Sequence, residues 1–304
     1  MSPAGGSTPG PQSREAFSFT RHPRRLGRRR YAYAVLSRRA RGISVGLNLN
    51  PDKVCNFDCL YCQVDRSQPP AERRVDESVL LAELAEILQV AAAGQLDALA
   101  SVEGVAPSYR RIADVAFSGD GEPTSYPRWA ELVTSVGEVI ERCLPGTPMT
   151  LITNASLFHR PRVLRGLDAL AARGGRVWAK LDAGTEDFYR RVAVTKIPFS
   201  RIMENIEEEA RRRPLVIQSL FFEQAGCAPA AGEIEAYAAR LSGLVAAGGM
   251  LHGVQLTTVA RRPPRPEIRA LDAAALEGIA QVVRAAVPSV DVQVYPATMG
   301  RTQG

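Results

Sequence analysis

Lysine is almost missing from this chain: three lysines stand against 35 arginines in 304 residues. So uniform a preference reflects a biased coding composition more than a nucleic-acid site. It also makes each surviving lysine informative, because arginine cannot supply a compact or deprotonable amine. Histidine is equally scarce, and His22, His159 and His252 are too scattered to be assigned a catalytic role. No apolar run approaches the roughly 20 residues needed to cross a bilayer, so no membrane partner is expected. The five cysteines do not form the framework of a secreted disulfide-rich domain: three fall within eight residues, while Cys143 and Cys227 stand alone. Clustered thiolates suit a reducing, cytoplasmic setting. Arg24, Arg25, Arg28, Arg29 and Arg30 are not followed by the apolar stretch that an export signal requires. Residues 1–14 lack acidic side chains, which leaves a transit peptide as the alternative. Neither an internal repeat nor an interdomain linker interrupts the chain.

What is present fits one folded domain. Apolar residues make up 45% and charged residues 23%, ordinary values for a globular protein, and the length allows one large α/β core. The net charge of +6 is unevenly spread: residues 1–42 hold ten arginines against the single acid Glu15, so the body is mildly acidic. Residues 1–16 are rich in Gly, Pro and Ser. The expectation is a disordered basic arm over residues 1–30, serving solubility or binding phosphates, and a folded domain over 31–304.

From residue 43 onward, short β-branched runs alternate with amphipathic stretches. Strands are expected at 43–50, 112–118, 149–153, 177–181, 215–221, 253–258 and 290–295. Helices are expected at 76–93, 129–143, 160–173, 199–213, 233–247 and 273–286. Such alternation means βα units and a parallel sheet. Six or seven units are too few for a closed eight-fold barrel. The fold class is therefore α/β, read as a partial, open (β/α)6 TIM-like barrel with parallel strands, with a doubly wound open sheet as the alternative. Either architecture gathers its reactive residues at the C-terminal strand ends. Polar residues follow that rule at Cys55, at Ser118 to Thr124, at Thr153 to Ser156, and at Lys180 and Asp182.

Cys55, Cys59 and Cys62 form a Cys-x3-Cys-x2-Cys run. Soft thiolates this close can wrap one metal centre. A structural zinc usually takes four protein ligands, and here a fourth donor is missing nearby. Three ligands on a four-iron cluster leave one iron open to chelate a small molecule. A zinc or structural site remains the alternative on spacing alone.

With Tyr61 just before the last cysteine, this motif resembles the signature of the radical S-adenosylmethionine superfamily. The stretch from Asn48 through Arg66, the segment from Phe117 to Thr124 and the segment from Gln255 to Arg261 are similar to a narrower group. That group comprises iron–sulfur oxidoreductases related to wyosine-type tRNA-modifying enzymes. The resemblance covers roughly residues 31–296. It implies a [4Fe-4S] cluster on Cys55, Cys59 and Cys62, with S-adenosylmethionine bound at the open iron. Reductive cleavage would yield a 5′-deoxyadenosyl radical that takes hydrogen from an unidentified substrate. It also implies an electron donor such as flavodoxin or ferredoxin.

Cofactor contacts are expected from Tyr61 against the adenine, and from Gly119, Gly121 and Glu122 at the methionine ammonium. Glycines permit close backbone approach, and a carbonyl or carboxylate accepts from an ammonium. The family turn carries adjacent Gly-Gly-Glu, whereas here Asp120 separates the glycines. Asn154, Ser156 and Asp182 are candidates for ribose or carboxylate contacts. Lys53 and Lys180 are the candidate catalytic residues, acting by charge or through a Schiff base with a carbonyl substrate. The alternatives are a wyosine-type tRNA synthase and a non-catalytic metal or electron-transfer protein. The basic arm favours tRNA as a partner. The absence of cysteine from residues 1–54, where such synthases carry a second cluster, weighs against it.

Overall fold

The computed structural model describes residues 16–19, 28–261 and 263–297. The chain forms, in order, β1 (Ala32–Ser37), β2 (Gly42–Leu47), α1 (Glu77–Ala92), β3 (Ile112–Phe117), α2 (Trp129–Cys143), β4 (Met149–Thr153) and α3 (Pro161–Ala171). It continues through β5 (Arg176–Lys180), α4 (Glu186–Ala193), α5 (Phe199–Arg212), β6 (Leu215–Leu220), β7 (Phe222–Gln224) and α6 (Ala231–Ala246). The last elements are β8 (Leu251–Thr257), β9 (Ile268–Ala270), α7 (Ala273–Ala286) and β10 (Val292–Tyr295). Eight strands make one sheet in the order β1-β2-β3-β4-β5-β6-β8-β10. It curls into a half-barrel. All neighbours pair in parallel except β1, which folds back antiparallel on β2. The expected open barrel of parallel strands is therefore found, widened by one antiparallel edge strand.

Alternation along the strands sorts the two faces. Val45, Leu47, Val115, Phe117, Leu151, Val177, Ile217 and Leu256 are buried in one apolar core with residues of the helices. Phe117 meets Trp129 of α2 edge-on, with ring centroids 4.9 Å apart. The intervening positions turn the other way, and they carry Ser44, Asp114, Trp178, Gln218 and Lys180 to the barrel interior, where they line a cavity.

Several expectations shift. β1 and α4 were not anticipated, nor was the small antiparallel pair β7–β9. The arm over residues 1–30 is not free throughout. Phe17 is buried and its N–H donates to Ser101 O at 3.0 Å, and Phe19 packs edge-on against Tyr109. Arg30 N, Tyr31 N and Ala32 N donate to the buried Glu83 carboxylate of α1 at 2.6, 2.9 and 3.0 Å. That carboxylate satisfies backbone donors leading into the edge strand, so the folded body begins before residue 31. Residues 1–15 and 20–27, the rest of the expected arm, lie outside the described residues.

Candidate functional site

A cavity of about 370 Å³ opens at the C-terminal ends of the parallel strands, a size typical of small-ligand sites. Cys55, Cys59 and Cys62 all line it. They lie in the long connection between β2 and α1, which has no regular structure of its own and is held by its neighbours. Asp58 N donates to Ala193 O at 3.1 Å and Leu60 N to Val192 O at 3.0 Å, fastening the loop to the end of α4. Thr195 Oγ1 donates to Asn56 O at 2.9 Å. On the other side Gln63 Nε2 donates to Arg261 O at 2.7 Å, and Arg66 Nη1 donates to Cys62 Sγ at 3.4 Å.

The glycine turn after β3 packs beneath this loop. A Cβ on Gly119 would meet Asn48 Oδ1 at 2.3 Å, and one on Gly121 would meet Val54 O at 2.3 Å. Their first demonstrable use is thus to let two backbones close together. Asp120, between them, accepts from Asn48 Nδ2 at 2.7 Å, and its N–H donates back to Asn48 Oδ1 at 3.1 Å. The residue that departs from the family turn is the one that clamps it to the cysteine loop.

Glu122 is 2% exposed. Its Oε1 accepts from Thr124 N, Thr124 Oγ1 and Thr153 Oγ1 at 3.1, 2.6 and 2.7 Å, and its Oε2 accepts from Asn154 N at 2.7 Å. Burial pushes the Glu122 carboxyl up, opposed by these same donors. Most of its acceptor capacity is spent joining the glycine turn to the end of β4, and one lobe of Oε2 is left for a ligand.

Asn154 and Ser156 follow β4. Asn154 Nδ2 donates to Asn56 Oδ1 at 2.8 Å, Asn56 Nδ2 to Ser156 Oγ at 2.7 Å, and Ser156 Oγ to Asn154 Oδ1 at 2.6 Å. Between them Ala155 has φ 60°. Asn205 Nδ2 of α5 donates to the Ala155 carbonyl at 2.8 Å and holds that turn.

Lys180 and Asp182 end β5, with Lys180 Nζ 3.2 Å from Asp182 Oδ1. Asp182 Oδ1 also accepts from Leu220 N at 2.8 Å, and Oδ2 accepts a short hydrogen bond from the Tyr61 hydroxyl. Lys180 Nζ lies 5.2 Å from the Tyr61 ring centroid. Burial, then the Asp182 charge, hold the Tyr61 hydroxyl well above its ordinary range. Burial likewise pushes up the Cys55 and Cys59 thiols, with the Asp182 charge next in order at Cys59.

The structure thus brings Cys55, Cys59, Cys62, Tyr61, Gly119, Gly121, Glu122, Asn154, Lys180 and Asp182 to one cavity. Ser156 stands just behind it, bonded to Asn154. Lys53 is placed elsewhere. Its φ is 61°, its Nζ donates to Asp65 O at 2.6 Å and Gln68 O at 3.1 Å, and it does not line the cavity. Cys143 closes α2 and Cys227 is exposed, both free thiols. Sequence reasoning missed Asn48, Asn56 and Asn205, whose partners lie 50 to 100 positions away. The clustering of asparagines around the cysteines was a signal for Asn48 and Asn56, and no local pattern marked Asn205.

Among the described residues no group of three or more His, Cys, Asp or Glu side chains is gathered to hold a single metal ion. The three thiols instead share a cavity that no histidine among the described residues lines. An all-sulfur set of three is the donor chemistry of an iron–sulfur cluster with one open iron.

A family model described as the Radical SAM superfamily matches residues 49–220. Two UPF0026 proteins of Helicobacter pylori, from strains 26695 and J99, are each 33% identical to this chain over 134 residues, covering 44% of it and 37% of their own length. The match spans well under half of these relatives. A solved structure of TYW1 with a lysine-pyruvate adduct bound shares the fold at a TM-score of 0.51 and 17% identity, covering 84% of each chain.

Proposed function

The chain belongs to the radical S-adenosylmethionine superfamily, and from that premise we propose that Cys55, Cys59 and Cys62 hold its [4Fe-4S] cluster and that the adjoining cavity binds S-adenosylmethionine and a substrate. Members of the superfamily are enzymes that use both cofactors. The observation that carries the assignment is that three thiols of one loop share a cavity with the polar ends of β3, β4 and β5. Bound together, the reduced cluster and S-adenosylmethionine supply a 5′-deoxyadenosyl radical able to abstract hydrogen.

The chain's own residues bind and orient. The Tyr61 ring, fixed by Asp182 and by edge contact with Phe222 at 6.0 Å, offers a rigid apolar wall to the nucleoside. The backbone at Gly119 and Gly121 and the free lobe of Glu122 accept from an ammonium. The Asn154 amide serves a ribose hydroxyl or a carboxylate, steadied by Ser156. Val192, Ala193, Phe199, Ile202 and Leu220 line the same cavity and exclude water from a reactive intermediate. Lys180 acts by charge, its Nζ held against Asp182 Oδ1 at 3.2 Å at the end of β5. The lysine-pyruvate adduct of the TYW1 structure makes the Schiff-base role the second reading for Lys180.

An electron donor of the flavodoxin or ferredoxin class and a small substrate complete the reaction. Five free cysteines support a reducing, cytoplasmic setting. Among the described residues no helix is long and apolar enough to cross a membrane. A wyosine-type reaction on tRNA is supported by the shared fold, and opposed by the lack of cysteine in residues 1–54.

The test is anaerobic reconstitution of the cluster, reduction, and addition of S-adenosylmethionine. 5′-Deoxyadenosine and methionine are expected. A correctly formed cluster that yields neither would remove this reading.

A further inference from the structure

A parallel α/β barrel ordinarily fills its interior with branched apolar side chains. This one does not. The inward positions bring together Ser44, Asp114, Trp178, Gln218 and Gln255. The pairing sets Ser44 beside Asp114 and Gln218 beside Gln255. Gln218 Nε2 donates to Gln255 Oε1 at 3.2 Å. Below them a second cavity of about 320 Å³ opens at the N-terminal strand ends. The two cavities share three wall residues: Arg39, Asp114 and Trp178.

Arg39 reaches this level from the tight turn between β1 and β2. Its guanidinium carbon lies 5.5 Å from the Trp178 ring centroid. Among the described residues no side chain or carbonyl gives it a hydrogen bond or an ion pair. Arg41, Arg111 and Arg176 line the lower cavity with it, against two acids among the described residues, Asp114 and Asp291. Asp114 is a partial countercharge: burial pushes its carboxyl up, while hydrogen bonds from the Ser44 and Thr150 side chains and the Arg39 and Arg176 charges pull it back. The Arg39 guanidinium is half-buried, with the Asp114 charge acting on it through space, and its planar fork, with no hydrogen bond of its own, matches a carboxylate or phosphate in two hydrogen bonds.

We propose that Arg39, backed by the Trp178 ring, is the specificity residue of the substrate site and receives the carboxylate or phosphate of a small anionic substrate inside the barrel. Calling the carrier of that anion a substrate rests on the radical-enzyme reading above. The small size of both cavities and the depth of Arg39 favour a free small molecule over the backbone of an RNA. The polar ladder of Gln218 and Gln255 supplies the neutral donors and acceptors that fix such a molecule's orientation.

The experiment uses the full-length chain without its cluster, so its outcome is independent of radical chemistry. Inorganic phosphate and malonate are titrated separately at constant ionic strength, following tryptophan fluorescence. The chain has two tryptophans, and Trp129 is fully buried in the core, so Trp178 reports. Equilibrium dialysis with labelled phosphate repeats the measurement without an optical signal. Saturable binding in about the millimolar range is expected. The better of the two anions identifies the substrate group. Arg39→Gln should weaken it by about ten-fold or more, and Arg39→Lys, which keeps the charge but loses the fork, by a smaller factor. Arg201→Gln on the exposed face of α5 serves as control and should bind as the wild type does. If Arg39→Gln does not fold, Arg39→Lys with a native circular dichroism spectrum decides.

Absence of saturable binding of either anion to folded wild-type protein overturns the proposal. So does equal affinity in the folded Arg39 variants. Failure to form 5′-deoxyadenosine with anion binding intact would remove the radical reading and leave the anion site standing.

Discussion

Asn154 Nδ2 donates to Asn56 Oδ1 at 2.8 Å, across 98 positions of sequence. Asn56 lies between the first two cysteines and Asn154 just past the end of β4. The bond therefore couples the cysteine loop to the sheet at the level where ligands bind. Ser156 closes the contact into a ring of three side chains, so the loop is held by a network rather than by one bond.

Breaking that network should cost little stability at each step and much order. Asn56→Ala and Asn154→Ala should each lose about 0.5–1.5 kcal/mol, the net worth of ordinary hydrogen bonds. The double variant should lose clearly less than their sum, because both remove the same coupling. Urea denaturation of the four proteins checks this, and strictly additive losses would show that the two residues act apart.

Gly121 and Gly243 should answer oppositely to alanine. At Gly121 the new methyl would lie 2.3 Å from Val54 O and 2.7 Å from the Asn50 side chain. The cysteine loop must move, at a cost of about 1–3 kcal/mol and with a fall in iron bound after reconstitution. Gly243, in α6, has nothing within 4 Å, so Gly243→Ala should gain about 0.5–1 kcal/mol. Thermal melts and iron analysis separate the two.

Iron and acid-labile sulfide should track three cysteines of the five. Cys55→Ala, Cys59→Ala and Cys62→Ala should each lose the cluster's visible absorption and the cleavage of S-adenosylmethionine. Cys143→Ala and Cys227→Ser should retain both. Wild-type iron content in any of the first three would reassign that ligand.

The two lysines near the loop should separate in the same way. Lys180 lines the cavity and pairs with Asp182, so Lys180→Arg should lower turnover by about ten-fold through misplaced charge. Lys53 is spent on two carbonyls outside the cavity, and Lys53→Arg should leave the cleavage of S-adenosylmethionine close to wild type. Equal effects of the two changes on 5′-deoxyadenosine formation would contradict the placement.

Glu209 of α5 should give the fold a pH dependence whose sign follows from its burial. Burial pushes its carboxyl up to about 7, although Arg213 and Arg212 pull the other way. The unfolded chain releases this proton near 4.5, the folded chain only near 7. Between those values the folded state holds more protons, so this residue's contribution to stability falls as pH rises and levels off above about 7. Glu209→Gln, which carries no titrating proton, should flatten that slope. Denaturation midpoints measured from roughly pH 5 to 8 decide it, and parallel profiles would refute the assignment.

Much of the architecture was readable because its signals are local. Helix α2, helix α7 and strand β4 were expected with the bounds they have, since a helical stripe or a β-branched run lies within one stretch of chain. Strand β1 was hidden because Ala32–Ser37 is a single short apolar run between two arginine clusters, with no helix following it to make a βα unit, and it is fixed by antiparallel pairing with β2. Helix α4 was hidden by length and charge: it has eight residues, and Glu186, Asp187, Arg190 and Arg191 mask the buried Phe188, Tyr189 and Val192. The separated glycines suggested a cofactor contact, whereas their observed close approach is to Asn48, Asn50 and Val54.

The sequence by itself determined the family, the cysteine trio and the order of βα units, because a cysteine motif and a hydrophobic period are written over a few neighbouring residues. Tertiary structure alone decided which polar groups are spent and which are available. Glu122, Asp120 and Lys53 carry the same charges in any alignment of letters. Only the fold shows that Glu122 braces the end of β4, that Asp120 clamps Asn48, and that Lys53 faces two carbonyls while Arg39 faces the cavity. Hydrogen bonds and desolvation depend on distance in space, and the chain brings these partners together from positions that no local pattern connects.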